Sequence, residues 1–409
     1  MIREVTANEF DRYAINHSLA NFRQSSKYAT LMAKNGYDRK YLMCYDKNKK
    51  IIGATMLLIK KIKHIFKYGY APFGFLIDYK NQKQVKNFTT EIKKWAKKNH
   101  IIFIKINPEI PTYIYDKNLN KHKLSNLEVI NTLTNNGYIK LKDNMYFESI
   151  MPRFNGIIDL KHYDESKLDK STRNRINNAI RKGLEIETTQ KNKIKDLYPF
   201  IENKKRRRNY LYYKNYFQIF NDDLDADIFL VSINFDKYLQ NSKAVFEAEQ
   251  EHNKEITEML FRNNSEVNIK RKMNSDRILS DLKKDVIDAT YSINKPNYYI
   301  AGALCIKYKN HVHIIISGYN ELYKKMNANY FLHNEIIKYY KDNYDYLDLN
   351  GLCGDFSKTS PYYGLNKFKL GFNPRVFEFI GEFDLVINKR FYNFMLLTGL
   401  IQDEFKKRD

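Results

Sequence analysis

Ile51-Ile52-Gly53-Ala54 and Ile300-Ala301-Gly302-Ala303 are one short phrase written twice, each in a β-rich run with glycine third. Their surroundings repeat too. Before the first, residues 41–45 read as a strand, joined to residues 51–59 through the turn-forming Asp46-Lys47-Asn48-Lys49. After it, residues 85–98 carry Phe88, Ile92 and Trp95 at helical spacing. Residues 101–106 then form a continuous apolar run, the pattern of a buried strand. In the second half, residues 227–233, 299–308 and 312–317 read as strands. Residues 328–341 read as a helix and residues 346–349 as the strand after it. The order predicts two copies of one α/β unit.

The copies differ at one joint. Where the first has a four-residue turn, the second has an insertion of residues 234–295, inside a Gly- and Pro-free stretch from Pro199 to Pro296. Tyr238, Leu239, Val245, Phe246, Ile256, Met259 and Leu260 precede Asn263-Asn264-Ser265, and Ile278, Leu279, Leu282 and Val286 follow it. These spacings give two helices with narrow apolar stripes, an antiparallel hairpin. Lys270-Arg271-Lys272 near its tip suits RNA, but charged helix faces are usually just solvated. The predicted layout is residues 1–152, residues 153–234 with 296–409, and a helical-hairpin arm over residues 235–295.

The 409 residues carry a formal net charge of +23, which calls for an anionic partner or a solubilising surface. Hydrophobic residues make up 43%, the level of a globular chain. Cys44, Cys305 and Cys353 are far apart, so neither a disulfide framework nor a zinc site is expected, and the compartment reads as reducing. Met1–Phe10 lacks the apolar core of a signal peptide, and no apolar run reaches the roughly 18–20 residues of a membrane span. The expectation is a cytoplasmic chain whose contact with a membrane is at most peripheral. No Walker-type loop, G-x-G-x-x-G, H-E-x-x-H or G-x-S-x-G occurs, and the histidines, His311 and His313 included, read as ordinary residues with no metal spacing.

Three stretches carry the candidate chemistry. Residues 170–183 look like a basic helix with Ser171 or Thr172 as N-cap and Gly183 past its end. Ile176 and Ile180 can face the core there, and Arg173, Arg175, Arg181 and Lys182 an anion. Lys204-Lys205-Arg206-Arg207-Arg208, followed by Tyr210, Tyr212, Tyr213 and Tyr216, suits a diphosphate or a nucleic-acid backbone equally. In the third, Gly364-Leu365-Asn366-Lys367-Phe368-Lys369-Leu370-Gly371-Phe372 sets lysines among apolar residues. A lysine held there can stabilise an oxyanion, or it can be a surface lysine lying along apolar neighbours.

At these residues the chain resembles the Fem-type peptidoglycan aminoacyltransferases, over nearly its whole length. The family's F-x-Q-S with a later lysine is similar to Phe22-Arg23-Gln24-Ser25 and Lys34. Its K-[ST]-x-R helix resembles residues 170–183, its R-x-x-x-Y-Y-x-N resembles Arg208, Tyr212, Tyr213 and Asn215, and its G-L-x-x-F-K-x-x-F with G-E-x-D-L resembles residues 364–372 and 381–385. The resemblance implies two acetyltransferase-like domains with a helical arm in the second. It implies transfer of an amino acid from aminoacyl-tRNA to the stem-peptide amine of lipid II or its nucleotide-linked precursor, with no cofactor. Lys34 and Arg208, or in its place Arg206 or Arg207, would hold the diphosphate beside Tyr212, and Lys369 would stabilise the oxyanion. Other Fem-type enzymes are possible partners.

Two motifs depart from the family. Its Y-x-P-R-G-P is Tyr70-Ala71-Pro72-Phe73-Gly74-Phe75 here, and its I-D-P is Ile106-Asn107-Pro108, which puts Asn107 where an acidic substrate contact would stand. Asp355 is a candidate general base or a turn residue after Gly354. The rival readings are an acetyl-CoA-dependent N-acyltransferase, which would need a glycine-rich pyrophosphate loop, and a non-catalytic nucleic-acid-binding protein.

Overall fold

A computed structural model describes the chain except residues 147, 205–207, 293–297 and 407–409. The first half runs β1 (Ile2–Glu4), α1 (Ala7–Ala14), α2 (Ser26–Ala33), β2 (Asp38–Tyr45), β3 (Ile51–Ile62), β4 (Phe66–Ala71), α3 (Gln82–Lys98) and β5 (Ile101–Ile106). Strands β1 to β4 pair antiparallel in sequence, and β4 then pairs parallel with β5 across α3. A connecting stretch follows: β6 (Pro111–Tyr115), β7 (Lys121–Lys123), α4 (Glu128–Asn135), β8 (Tyr138–Lys140), β9 (Phe154–Asp159) and α5 (Lys170–Arg181).

The second half repeats the first. It runs β10 (Leu184–Thr189), α6 (Ile194–Leu197), α7 (Tyr210–Asn221), β11 (Ala226–Ile233), α8 (Phe235–Arg262), α9 (Glu266–Thr290), β12 (Tyr299–Tyr308), β13 (His311–Tyr319), α10 (Ala328–Tyr340) and β14 (Tyr346–Leu352). Strands β10 to β13 are again antiparallel neighbours, and β13 pairs parallel with β14 across a helix. The element order is therefore the same twice, with α8 and α9 standing where the first copy has its β2–β3 turn. α11 (Tyr363–Leu370), β15 (Arg375–Phe379), β16 (Phe383–Val386), α12 (Lys389–Leu397) and α13 (Leu400–Lys406) complete the chain.

Two sheets result, and each borrows from the other half. The first is ordered β1-β2-β3-β4-β5-β16-β8, the second β10-β11-β12-β13-β14-β9-β15-β6-β7. The late strand β16 joins the first sheet, and the early strands β6 and β7 join the second, so no single cut near residue 152 separates the sheets. The exchange is fastened by charge: Lys105 on β5 meets Asp384 on β16 at 2.9 Å and Glu382 at 3.6 Å, all three side chains 1% exposed. A second buried pair, Arg153 to Glu378 at 2.9 Å, ties the start of β9 to β15.

One apolar core runs between the halves. Phe22, Tyr28 and Tyr68 from the first half and Tyr213, Phe217 and Leu230 from the second belong to the same buried cluster. α2 and α7 pack together there. Phe22 meets Phe220 edge-on at 5.8 Å, and Lys27 pairs with Asp223 at 2.7 Å, so the start of α2 lies at the end of α7.

The basic helix α5 is capped by Asp169, two residues before Ser171 and three before Thr172, because the Asp169 carboxylate accepts from the Thr172 amide at 3.3 Å. Gly183 follows its end at φ +71°, as expected. Ile176 is buried, whereas Ile180 is 47% exposed. Arg181 and Lys182 do not face a free anion site: both meet Asp285 on α9, at 3.6 and 3.0 Å. The helix anchors the inserted pair. Between α8 and α9, Ser275 donates to Glu249 at 2.6 Å and Asn253 donates to Ser275 at 2.9 Å, a polar seam in place of a wide apolar stripe. Lys270 and Lys272 are paired with Glu266 and Asp276.

Candidate active site

The Phe22–Ser25 motif is explained residue by residue. Phe22 is in the core, and Arg23 lies over the rings of Phe22 at 4.3 Å and Phe73 at 4.9 Å. Gln24 donates to the Pro72 carbonyl at 2.7 Å and accepts from the Met56 amide at 2.9 Å. Ser25 caps α2. The motif thus fixes the 72–75 loop and the start of α2, and lays one arginine against the Phe73 ring of that loop.

Asn107 fastens the other side of that loop. Its Oδ1 accepts from the Tyr70 hydroxyl at 3.2 Å and the Phe73 amide at 3.1 Å, and the residue is buried. Asn107 lines a cleft with Phe73, Glu109, Glu148 and Arg153. Glu109, which the sequence reading passed over, accepts from the Asn21 side chain at 2.7 Å. Burial and the nearby Asp348 push its carboxyl up to about 7, against the pull of Asn21 and Arg23.

Asp348, at the middle of β14, is the hub. Its Oδ2 lies 3.3 Å from His313 Nδ1 and accepts from Asn155 at 3.2 Å; its Oδ1 accepts from the Asn350 amide at 2.7 Å. Although burial raises its pKa, these bonds and charges hold Asp348 below the usual carboxylate value. Burial also lowers the pKa of His313, against the pull of Asp348. His313 is therefore a partner of the hub and not an ordinary strand residue.

Lys369 completes the arrangement. It is half-buried near the end of α11 and donates to the Gly351 carbonyl at 2.7 Å. Burial pushes its pKa down to about 7; Lys204 acts the same way and Asp348 opposes. The loop beneath it is clamped by Asn366, which accepts from the Cys353 amide at 2.9 Å and donates to the Cys353 carbonyl at 2.8 Å. Lys204, at the head of the basic cluster, thus acts on the same ammonium. Asp348 acts electrostatically on both Glu109 and Lys369, raising the pKa of each.

Asp355 is placed differently. Its carboxylate accepts from the Ser357 amide at 3.0 Å, and the bonds from Ser357 lower its pKa. That is the geometry of a turn, and a lowered pKa makes it a poor proton acceptor.

Lys34 caps the end of α2 and is exposed, and Arg208 is exposed just before α7 with its guanidinium 5.5 Å from the Tyr212 ring. Tyr212, half-buried on α7, packs against the core shared by the two halves. Arg206 and Arg207 fall outside the described residues. Among the described residues no group of three His, Cys, Asp or Glu could hold a metal ion, and no helix is long and apolar enough to cross a membrane.

A duplicated α/β chain that holds a half-buried lysine of lowered pKa and a carboxyl group of raised pKa carries groups suited to acyl transfer. The FemAB family model matches residues 5–398, and the chain belongs to that family. It is 24% identical to the aminoacyltransferase FemB of Staphylococcus epidermidis, over 99% of each chain. It is 24% identical to the lipid II:glycine glycyltransferase of the same species, covering 95% of this chain and 93% of that one. Identity to FemA of Staphylococcus aureus is 22%, covering 95% and 96%. The crystal structure of FemX superposes with a TM-score of 0.73 at 18% identity over 97% of this chain and 99% of that one, so the fold is shared. The protein is a transferase.

Proposed function

We propose that the chain moves an amino acid from aminoacyl-tRNA onto the stem-peptide amine of lipid II, or of its nucleotide-linked precursor, to build an interpeptide bridge. The observation that carries the reading is Lys369: an ammonium fixed to a backbone carbonyl, partly out of water, in a family whose named relatives are aminoacyl- and glycyltransferases. The relative named for lipid II favours that acceptor. The net charge of +23 suits two polyanionic substrates.

The reaction is aminolysis of an ester that arrives already activated, so no cofactor is required. The acceptor nitrogen attacks the ester carbon; the new C–N bond forms and the bond to the ribose oxygen breaks. Lys369 stabilises the oxyanion between these events, and the arriving negative charge favours its protonated form. Glu109 takes the proton from the attacking amine, since a carboxyl near pKa 7 is suited to general-base work in a way that Asp355 is not. The departing ribose oxygen takes a proton in turn. Lys34 and Arg208 bind the diphosphate, with Tyr212 beside them. Each repeated unit is read as an acetyltransferase-like domain, and α8 with α9 as the arm inserted in the second.

The test is transfer of a radiolabelled amino acid from a mixed pool of charged tRNA to lipid II, with and without ribonuclease. Label that appears in lipid II and vanishes with ribonuclease supports the reading and names the donor. Folded protein that labels neither lysine- nor diaminopimelate-type lipid II overturns it.

A further inference from the structure

We infer that the outer face of α12, together with the tip of the β3–β4 hairpin, is a docking surface for an anionic lipid bilayer. α12 is apolar on both sides. Tyr392 and Met395 point into the core under the first sheet, whereas Phe391 and Phe394 are each 49% exposed and Leu397 is 89% exposed. The hairpin tip presents Ile65, 73% exposed, at a turn where Lys63 and His64 take positive φ. The two elements form one patch, because Phe66 on the hairpin meets Phe391 at 5.9 Å and Phe394 at 6.1 Å. Contiguous apolar surface of this kind on a folded chain marks an interaction site.

Charge decides the occupant. Residues 60–67 read Lys-Lys-Ile-Lys-His-Ile-Phe-Lys, and residues 387–400 hold Lys389 and Arg390; neither segment contains an acid. Lys60 is spent on Glu404 at 2.8 Å. Lys61, Lys63, Lys67, Lys389 and Arg390 form no ion pair among the described residues. Five unpaired cations around exposed Phe, Leu and Ile side chains match an anionic headgroup layer over acyl chains, the pattern of an interfacial helix. A second copy of the chain would set these cations against one another. The inference stands apart from the proposed reaction, since lipid alone tests it.

The experiment is flotation of the full chain with vesicles of phosphatidylcholine, alone or mixed with phosphatidylglycerol, at low and high salt. The wild type is expected to float with the mixed vesicles and to be released by salt. Lys63→Ala/Lys389→Ala/Arg390→Ala should bind roughly 100-fold more weakly, and Ile65→Ser/Leu397→Ser about 10-fold more weakly. All changed side chains are exposed, so the melting temperature should hold. Leu322→Ser, at a site 88% exposed in the other half, should bind as wild type. Failure of the wild type to float, or equal binding by the patch variants, overturns the inference. So does concentration-dependent self-association that Leu397→Ser abolishes without any vesicle binding.

Discussion

Lys369 and Gly351 are joined by a 2.7 Å bond from ammonium to backbone carbonyl, which fastens the end of α11 to β14. The carbonyl lies on β14, three residues past the hub Asp348, so one strand carries both. Lys369→Ala should lower the transfer rate by about 10²–10³-fold with little change in substrate binding. Single-turnover kinetics with saturating lipid II checks this.

The same lysine should cost stability. Its folded pKa, near 7, lies below that of an unfolded lysine. Between those values the unfolded state binds the extra proton, so the cost is full below about pH 7 and is relieved as pH rises. Lys369→Met should therefore be more stable than wild type in urea at pH 6, with a gain that shrinks at pH 9.

Glu109 and Asp355 make opposite predictions. Glu109→Gln should reduce the rate roughly 10²–10⁴-fold and remove the acidic limb of the pH–rate profile near pH 7. Asp355→Asn, which keeps a side-chain oxygen for the Ser357 amide, should leave the rate within a few-fold of wild type. Strong loss in Asp355→Asn with little in Glu109→Gln would reverse the assignment. Stability offers a second readout: the raised carboxyl of Glu109 costs stability above about pH 7 and not below the ordinary carboxylate pKa, so Glu109→Gln should gain relative to wild type as pH rises between them.

The side chains of Lys34 and Arg208 are exposed and form no ion pair among the described residues. Replacing either with alanine should raise the KM for lipid II about 10-fold or more while leaving the melting temperature unchanged. If the two share the diphosphate, the double variant should lose less than the product of the single losses.

Lys105→Ala would leave Glu382 and Asp384 buried without their cation. A loss of about 3–5 kcal/mol is expected by denaturant unfolding. The strand most affected is β16, so amide exchange should rise first at residues 383–386.

The sequence by itself determined the repeated unit, the long helical insertion at one joint and the residues of each motif. Those signals are local: period-two and period-3.6 patterns, a turn at Asp46–Lys49, and the absence of Gly and Pro from residues 200–295. Lys369 stood out through the resemblance of residues 364–372 to a family motif, since a lysine among apolar residues reads equally well as a surface lysine. Tertiary structure alone decided the rest. Glu109 is one acid after a proline until folding sets it beside Asn21, within the field of Asp348, some 240 positions away. His313 became a hub contact only when β13 paired with β14, and Arg181 and Lys182 turned from an anion site into an anchor when Asp285 arrived from α9. The exchange of β6, β7 and β16 between sheets was equally hidden. Periodicity reports which face of a strand is buried, not which neighbour will pair with its edge, and the charge a side chain carries is set by neighbours that the chain brings close only in three dimensions.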